Sequence, residues 1–186
     1  MGAKDKTQHL DKSDALDILD RTIDFIRNCD NKASIFLGIF GVILTIVLTT
    51  EGLNNLMSII QTAVEQKTFC NILYLLMFFG FAIITIVGLS QIIKVLGVQV
   101  DFSSEKGVDG DSKIFFEHIS KNKYSCYKNK LLTATEEEFL NDITSQIYIN
   151  SCICCDKYRH YKIGLRLTLI GFCGFIVLWV IGAVIF

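Results

Sequence analysis

The sequence predicts an all-α membrane protein in which three transmembrane helices carry a cytoplasmic helical bundle. Three stretches of the 186-residue chain are almost free of charge, and each approaches the roughly 20 apolar residues that cross a bilayer. Proline is absent, which suits a chain made of long helices. The polar remainder is too short for two independent cores, so buried helices of a soluble protein are a poor alternative.

Residues 1–32 form a predicted cytoplasmic arm with an amphipathic helix from Ser13 to Cys29. Aspartates dominate one half of this helix, and an anionic membrane surface would repel them, so the other half is expected to pack on protein. That apolar half contains Leu16, Ile18, Leu19, Ile23, Phe25 and Ile26.

Residues 33–50, 69–93 and 163–186 are the predicted transmembrane helices 1, 2 and 3. The first is short, whereas the second is long enough to span the bilayer with some tilt. A short external loop, 51–68, joins the first two spans, and a cytoplasmic sensor segment, 94–162, joins the second to the third.

Orientation follows from the lysines and arginines near the span ends, which favour the cytoplasmic side. The arm is rich in them, the 51–68 loop has only Lys67, and none follows the third span. The segment between spans two and three carries them near both of its ends. We therefore expect a multi-pass protein of the bacterial inner membrane, with the N-terminus inside and the C-terminus outside.

The segment between spans two and three begins as a loop at 101–113, where glycines and charges show no periodicity. Thr135 and Glu138 have the spacing of a helix-starting capping box. No helix breaker follows, so one helix is expected from near Glu136 to Phe186. Its apolar stripe, from Phe139 to Tyr161, is the predicted partner of the arm helix.

No motif of an enzyme active site occurs, so neither catalysis nor a cofactor is expected. A net charge of −1 gives no basic field for nucleic acid. Cys152, Cys154, Cys155 and His160 suggest zinc, but on one helix the three thiols do not converge, and no metal is expected. The near absence of charge at mid-span disfavours a transporter.

One cluster has binding potential on the cytoplasmic side. Aromatic rings that stack on a base, beside cations that meet a phosphate, would suit a nucleotide. The candidate residues are Phe115, Phe116, His118, Lys157 and Arg159. The alternative is a hydrophobic plug with a positive rim, and side-chain chemistry alone favours this alternative because topology-setting and phosphate-binding cations look identical.

Three short motifs resemble those of the Pycsar transmembrane effectors, in the same order and with the same arrangement of spans. Asp30-Asn31-Lys32-Ala33-Ser34 is similar to the family's junction before the first span. The segment from Lys113 to Ile119 resembles its FF-x-x-I motif, and the segment from Gln146 to Asn150 resembles its closing helix.

The resemblance implies a bacterial antiphage effector. A partner cyclase makes cyclic UMP or cyclic CMP after infection, and the effector senses it and impairs the inner membrane. A response in the bilayer suggests a homo-oligomer. The resemblance supplies no ligand-binding residues, and a constitutive membrane scaffold or subunit without a ligand remains the alternative.

Overall fold

The computed structural model describes residues 11–66, 68–97 and 112–185. These residues form six helices and contain no strand. The helices are α1 Lys12–Val47, α2 Thr50–Glu65, α3 Phe69–Leu96, α4 Phe116–Lys121, α5 Tyr124–Thr133 and α6 Glu136–Ile185. The first ten residues of the arm and most of the loop expected at 101–113 lie outside the described residues.

The predicted all-α membrane fold is confirmed. The three helices α1, α3 and α6 are long and apolar enough to cross a membrane. Large apolar side chains stay exposed along them, among them Ile39 on α1, Ile86 on α3 and Val180 on α6. A lipid environment accounts for this exposure, because acyl chains cover apolar side chains that would otherwise be in unfavourable contact with water.

The two longest helices begin outside the apolar runs, as the sequence predicts. The arm and the first span form the single helix α1, and α6 is 50 residues long. At the start of α6, the Glu138 N–H donates to Thr135 Oγ1 at 3.2 Å, and the Thr135 N–H donates to Glu138 Oε2 at 3.4 Å. These two bonds satisfy N–H groups that have no partner within the helix, which fixes where α6 begins.

The 51–68 segment is mostly helical. After α1 ends at Val47, Thr49 accepts a hydrogen bond from the Gly52 N–H through Oγ1, at 3.3 Å, and caps α2. Ile59 and Ala63 are the buried residues of this helix. The connection between the first two spans is therefore an amphipathic helix with two short turns.

The chain divides into two compact units, and α1 and α6 contribute to both. The bundle unit comprises Met1–Asn28 and Val98–Cys155, and the membrane unit comprises Cys29–Gly97 and Asp156–Phe186.

The core of the bundle unit joins the arm to the start of α6. Ala15, Leu19 and Ile143 are buried together, and Ile114, Phe139, Leu140 and Ile147 pack against them. The expected packing of the arm on the stripe that begins at Phe139 is thus confirmed for these residues. Ile23 and Phe25 remain 37% and 57% exposed, because the side of the arm that carries Ala15 and Leu19 faces the core.

The membrane unit has a core where α1, α3 and α6 meet, made of Cys29, Ala33, Ile92 and Val95. Above it, α3 and α6 approach closely. A Cβ added at Gly164 would lie 2.6 Å from Ile92 Cγ1, and one added at Gly88 would clash with the Thr168 backbone N. Glycine is required at both positions, because any side chain would push the two helices apart.

Candidate functional site

The bundle unit contains an open groove of about 750 Å³. It is formed by the start of α1, the segment leading into α4, helices α4 and α5, and the start of α6 with the two residues before it. The lining residues are Lys12, Lys113, Ile114, Ile119, Tyr127, Leu131, Ala134, Thr135, Glu136 and Phe139. This volume lies within the usual range of small-molecule sites, which is about 300–1,000 Å³.

One wall of the groove is held by a hydrogen-bonded turn before α4. The Ser112 hydroxyl oxygen accepts from the N–H groups of Ile114 and Phe115, at 3.2 and 3.0 Å. The Ser112 N–H in turn donates to His118 Nδ1 at 2.9 Å. Ser112 is buried, so these bonds are shielded from water and fix the backbone that leads to Lys113.

Lys113 combines a fixed backbone with a loosely held side chain. Its N–H donates to Asp142 Oδ2 at 2.6 Å, and its carbonyl accepts from the Tyr127 hydroxyl at 3.2 Å. Its Nζ lies 3.6 Å from Glu138 Oε2, an ion pair whose carboxylate is largely exposed. The pair is longer than a charge-assisted hydrogen bond, and the backbone bonds of Lys113 do not depend on it, so the ammonium can turn to a ligand without disturbing the wall.

The second cation of the groove is Lys12, whose Nζ lies 4.5 Å from the centre of the Phe139 ring. Cations and aromatic faces attract at this distance. The lining holds two ammonium groups and the carboxylate of Glu136, and Lys113 pairs with Glu138, so an anionic ligand would take the place of the Glu138 carboxylate at one ammonium. Tyr127 and Phe139 add flat apolar surfaces. The groove therefore suits a small ligand with an aromatic ring and a single negative charge.

Three of the sequence-predicted site residues lie together at the start of α4. The Phe115 ring is 4.9 Å from the Phe116 ring and 5.4 Å from the His118 ring. None of the three lines the groove, and Phe116 is 69% exposed. The nearby Lys121 donates to Glu117 at 2.7 Å, and this bond and its charge lower the pKa of the Glu117 carboxyl.

The other two predicted residues, Lys157 and Arg159, belong to the membrane unit. Lys157 is only 6% exposed, and its ammonium donates to Asp30 Oδ1 and to the Val95 carbonyl, both at 2.6 Å. Burial and two acceptors occupy the Lys157 ammonium, so a ligand phosphate would have to replace one of these acceptors. Arg159 is exposed and pairs with Asp156 at 2.8 Å.

The groove could not be predicted from the sequence. Its cations, Lys12 and Lys113, lie far apart in the chain, and each resembles an ordinary topology-setting lysine. The Thr135–Glu138 capping box, the segment from Lys113 to Ile119 and the stripe that begins at Phe139 are sequence features of this region, but none of them indicates that these segments meet.

The thiols at Cys152, Cys154 and Cys155 form no recognisable metal site. In the part of the chain that the structure describes, no three His, Cys, Asp or Glu side chains are grouped to hold a metal ion. His160 instead contacts Gln91, with 2.8 Å between Nδ1 and Oε1, and so links α6 to α3.

The fold and the groove define a class: multi-pass helical membrane proteins with a ligand-sized groove outside their spans. Within that class, the chain belongs to the PycTM family, because the model described as the Pycsar effector protein domain matches residues 14–186. This result confirms the resemblance carried by the junction at Asp30 and the motif at Phe115. Membership implies a membrane effector of antiviral defence.

Two curated relatives agree with this assignment. The chain is 29% identical over 177 residues to the Pycsar effector protein GmPycTM of Gulbenkiania mobilis, covering 90% of each protein. It is 26% identical over 147 residues to the Pycsar effector protein EcPycTM of Escherichia coli, covering 78% of this chain and 76% of that protein. No solved structure matches the chain.

Proposed function

We propose that this effector senses a cyclic pyrimidine nucleotide on its cytoplasmic side and responds by impairing the inner membrane. A partner cyclase would supply the ligand, cyclic UMP or cyclic CMP. The observation that carries the proposal is the groove of the bundle unit, which offers cations and aromatic rings in a chain of the Pycsar effector family.

The chemistry of the ligand matches the groove. A cyclic phosphodiester carries one negative charge, which would take the place of the Glu138 carboxylate beside the Lys113 ammonium. We place the phosphate near Lys113 and Lys12 and the pyrimidine ring against Tyr127. Charge-assisted hydrogen bonds of this kind contribute about 1.5–3 kcal/mol each. Phe115, Phe116 and His118 in the bundle unit, and Lys157 and Arg159 in the membrane unit, remain alternative candidate residues, which the same experiment tests.

Two helices supply a route from ligand to bilayer. Helix α1 carries Lys12 of the groove and continues into the first span, and α6 carries Phe139 and continues into the third. A ligand that prefers one arrangement of these helices would shift the population toward it. We propose that the shift changes how copies of the effector pack in a homo-oligomer.

The test is calorimetric titration of the detergent-purified protein with cyclic UMP, cyclic CMP, cyclic AMP and cyclic GMP. A cyclic pyrimidine nucleotide should bind, and Lys113→Gln should weaken the binding roughly 10- to 100-fold, the equivalent of one charge-assisted bond. The fold should persist, since the structural bonds of Lys113 come from its backbone.

The matched control is Lys121→Gln, which removes an equal charge from a lysine that pairs with Glu117 outside the groove lining. Its affinity should stay within about twofold of the parent. If the affinity for the nucleotide falls instead in Phe116→Ala or Arg159→Ala, the substituted residue contacts the ligand and our choice of the groove is wrong. If none of the four nucleotides binds, the constitutive scaffold becomes the better explanation.

The proposed topology has its own test. The N-terminus and residues 98–162 should be cytoplasmic and the C-terminus external, because lysine and arginine concentrate on the retained side. Alkaline phosphatase fused after Phe186 should be active, whereas the same enzyme inserted near Gly110 should be inactive. The reverse pattern would refute both the orientation and the cytoplasmic sensor.

A further inference from the structure

Helix α2 presents three distinct strips along its surface. One strip, Ile59 and Ala63, is buried. Beside it lie Leu53, Met57 and Val64, which are 43%, 67% and 53% exposed. Leu56 and Ile60 are half-buried between these two strips, and the polar side of the helix consists of Thr50, Glu51, Asn54, Asn55, Ser58, Gln61, Thr62 and Glu65. At about 100° per residue, the exposed apolar strip falls between the buried strip and the polar one.

Contacts within the membrane unit fix which side of α2 points outward. Ile59 Cγ2 would be 2.8 Å from a Cβ added at Gly182 of α6, so the buried strip rests on that helix. The Trp179 indole N–H donates to Asn55 Oδ1 at 3.0 Å on the same side. The strip of Leu53, Met57 and Val64 therefore cannot turn inward without losing these contacts.

The lengths of the spans place α2 at the depth of the bilayer. The apolar part of α1, Ala33–Val47, rises about 22 Å, whereas the hydrocarbon layer is about 30 Å thick. The apolar part of α3, Phe69–Ile93, rises about 37 Å and exceeds that thickness. Only Leu48 and Thr49 separate α1 from α2, so α2 begins where α1 stops short.

We propose that α2 is an interfacial helix, embedded in the leaflet at the end of the first span. Leu53, Met57 and Val64 contact acyl chains, and the polar strip contacts headgroups. The occupant of the exposed strip is lipid, because α2 follows α1 after only Leu48 and Thr49, leads into α3 and rests on the apolar helix α6. The bilayer becomes thinner around α1 to match its short apolar length.

The proposal does not depend on nucleotide sensing. It gives the effector a fixed local perturbation of one leaflet, in which the amphipathic helix takes part of the area that acyl chains would fill. A change in oligomeric packing would then gather several such perturbations at one place.

The test uses the fact that the chain has a single tryptophan, Trp179. In a Trp179→Phe background, which loses the hydrogen bond to Asn55 but keeps the packing of Ile59 at Gly182, one variant carries Met57→Trp on the apolar strip, and its matched control carries Ser58→Trp on the neighbouring polar strip. Each is reconstituted in dioleoylphosphatidylcholine vesicles, with and without phosphatidylcholine brominated at carbons 6 and 7, which quenches indole fluorescence on contact.

Bromolipid should quench Met57→Trp at least about twofold more than Ser58→Trp. Val64→Trp should behave like Met57→Trp, so the proposal stays testable if one variant does not fold. Equal quenching of the two strips would overturn it. Protection of Met57→Trp at high protein density that is lost on dilution would also overturn it, because a second copy would then cover the strip.

Discussion

Asp30→Asn should destabilise the membrane unit by about 2–3 kcal/mol, more than the removal of its partner in Lys157→Met. The amide keeps the shape of the carboxylate but leaves a buried ammonium without a counter-charge. Burial makes that state costly, since Lys157 is 6% exposed and the Val95 carbonyl is its other acceptor.

Lys157→Met removes the charge and keeps an apolar stem of similar length. It leaves the Asp30 carboxylate, which is 35% exposed and can be hydrated. We expect Lys157→Met alone to lower the free energy of unfolding by about 1 kcal/mol. The double variant, Asp30→Asn with Lys157→Met, should resemble Lys157→Met because the two sites share one interaction. Thermal unfolding in detergent, followed by circular dichroism, measures all three.

The control for this pair is Asp156→Asn, which breaks the exposed ion pair with Arg159. Its effect should stay within about 0.5 kcal/mol. If Asp30→Asn is as mild as this control, the buried ammonium has another counter-charge and our account of the contact is wrong.

Ile143→Asp should reduce the amount of folded protein more than any change on the exposed side of the arm. Ile143 is fully buried against Ala15 and Leu19. A carboxylate there would lose its hydration without gaining a partner, and the variant also loses apolar burial. The combined loss is about 4 kcal/mol or more, a large part of the stability of a small domain. Size-exclusion chromatography of detergent extracts reports the folded fraction.

The contrast is with Ile23→Asp, an equal chemical change on the arm. The sequence pattern placed Ile23 in the packed half of the helix, but it is 37% exposed in the structure. A carboxylate at this position stays hydrated, so the folded fraction should change little, as in Asp20→Asn. Equal damage from Ile23→Asp and Ile143→Asp would mean that a second surface covers the arm.

Features with a local physical cause could be predicted from the sequence. Each span is a contiguous apolar run. The start of α6 is marked by the capping box of Thr135 and Glu138, which lies within four consecutive residues. The joining of the arm to the first span follows from the absence of a breaker. Such patterns need no knowledge of tertiary contacts.

Features that depend on tertiary contacts could not be predicted. Lys157 and Arg159 are two residues apart and carry the same charge, yet one is buried between α1 and α3 and the other is exposed. The groove requires Lys12 and Lys113 to meet across a long stretch of chain. The segment of α2 was expected to be a loop. Its apolar residues form no long charge-free run, and its packing partner, Gly182, lies near the end of the chain.

The pairing of α1 with α6 also dictates the order in which the protein can be completed during synthesis. The Asp30 carboxylate and the Lys157 ammonium are 127 residues apart. At a translation rate of about 5–20 residues per second, Asp30 waits roughly 6–25 s for its partner to emerge from the ribosome. The same delay applies to Ala15 and Leu19, whose partner Ile143 is also made late. The first two spans must therefore enter the membrane before either core is complete. Both cores are completed only when α6, the last helix, is made.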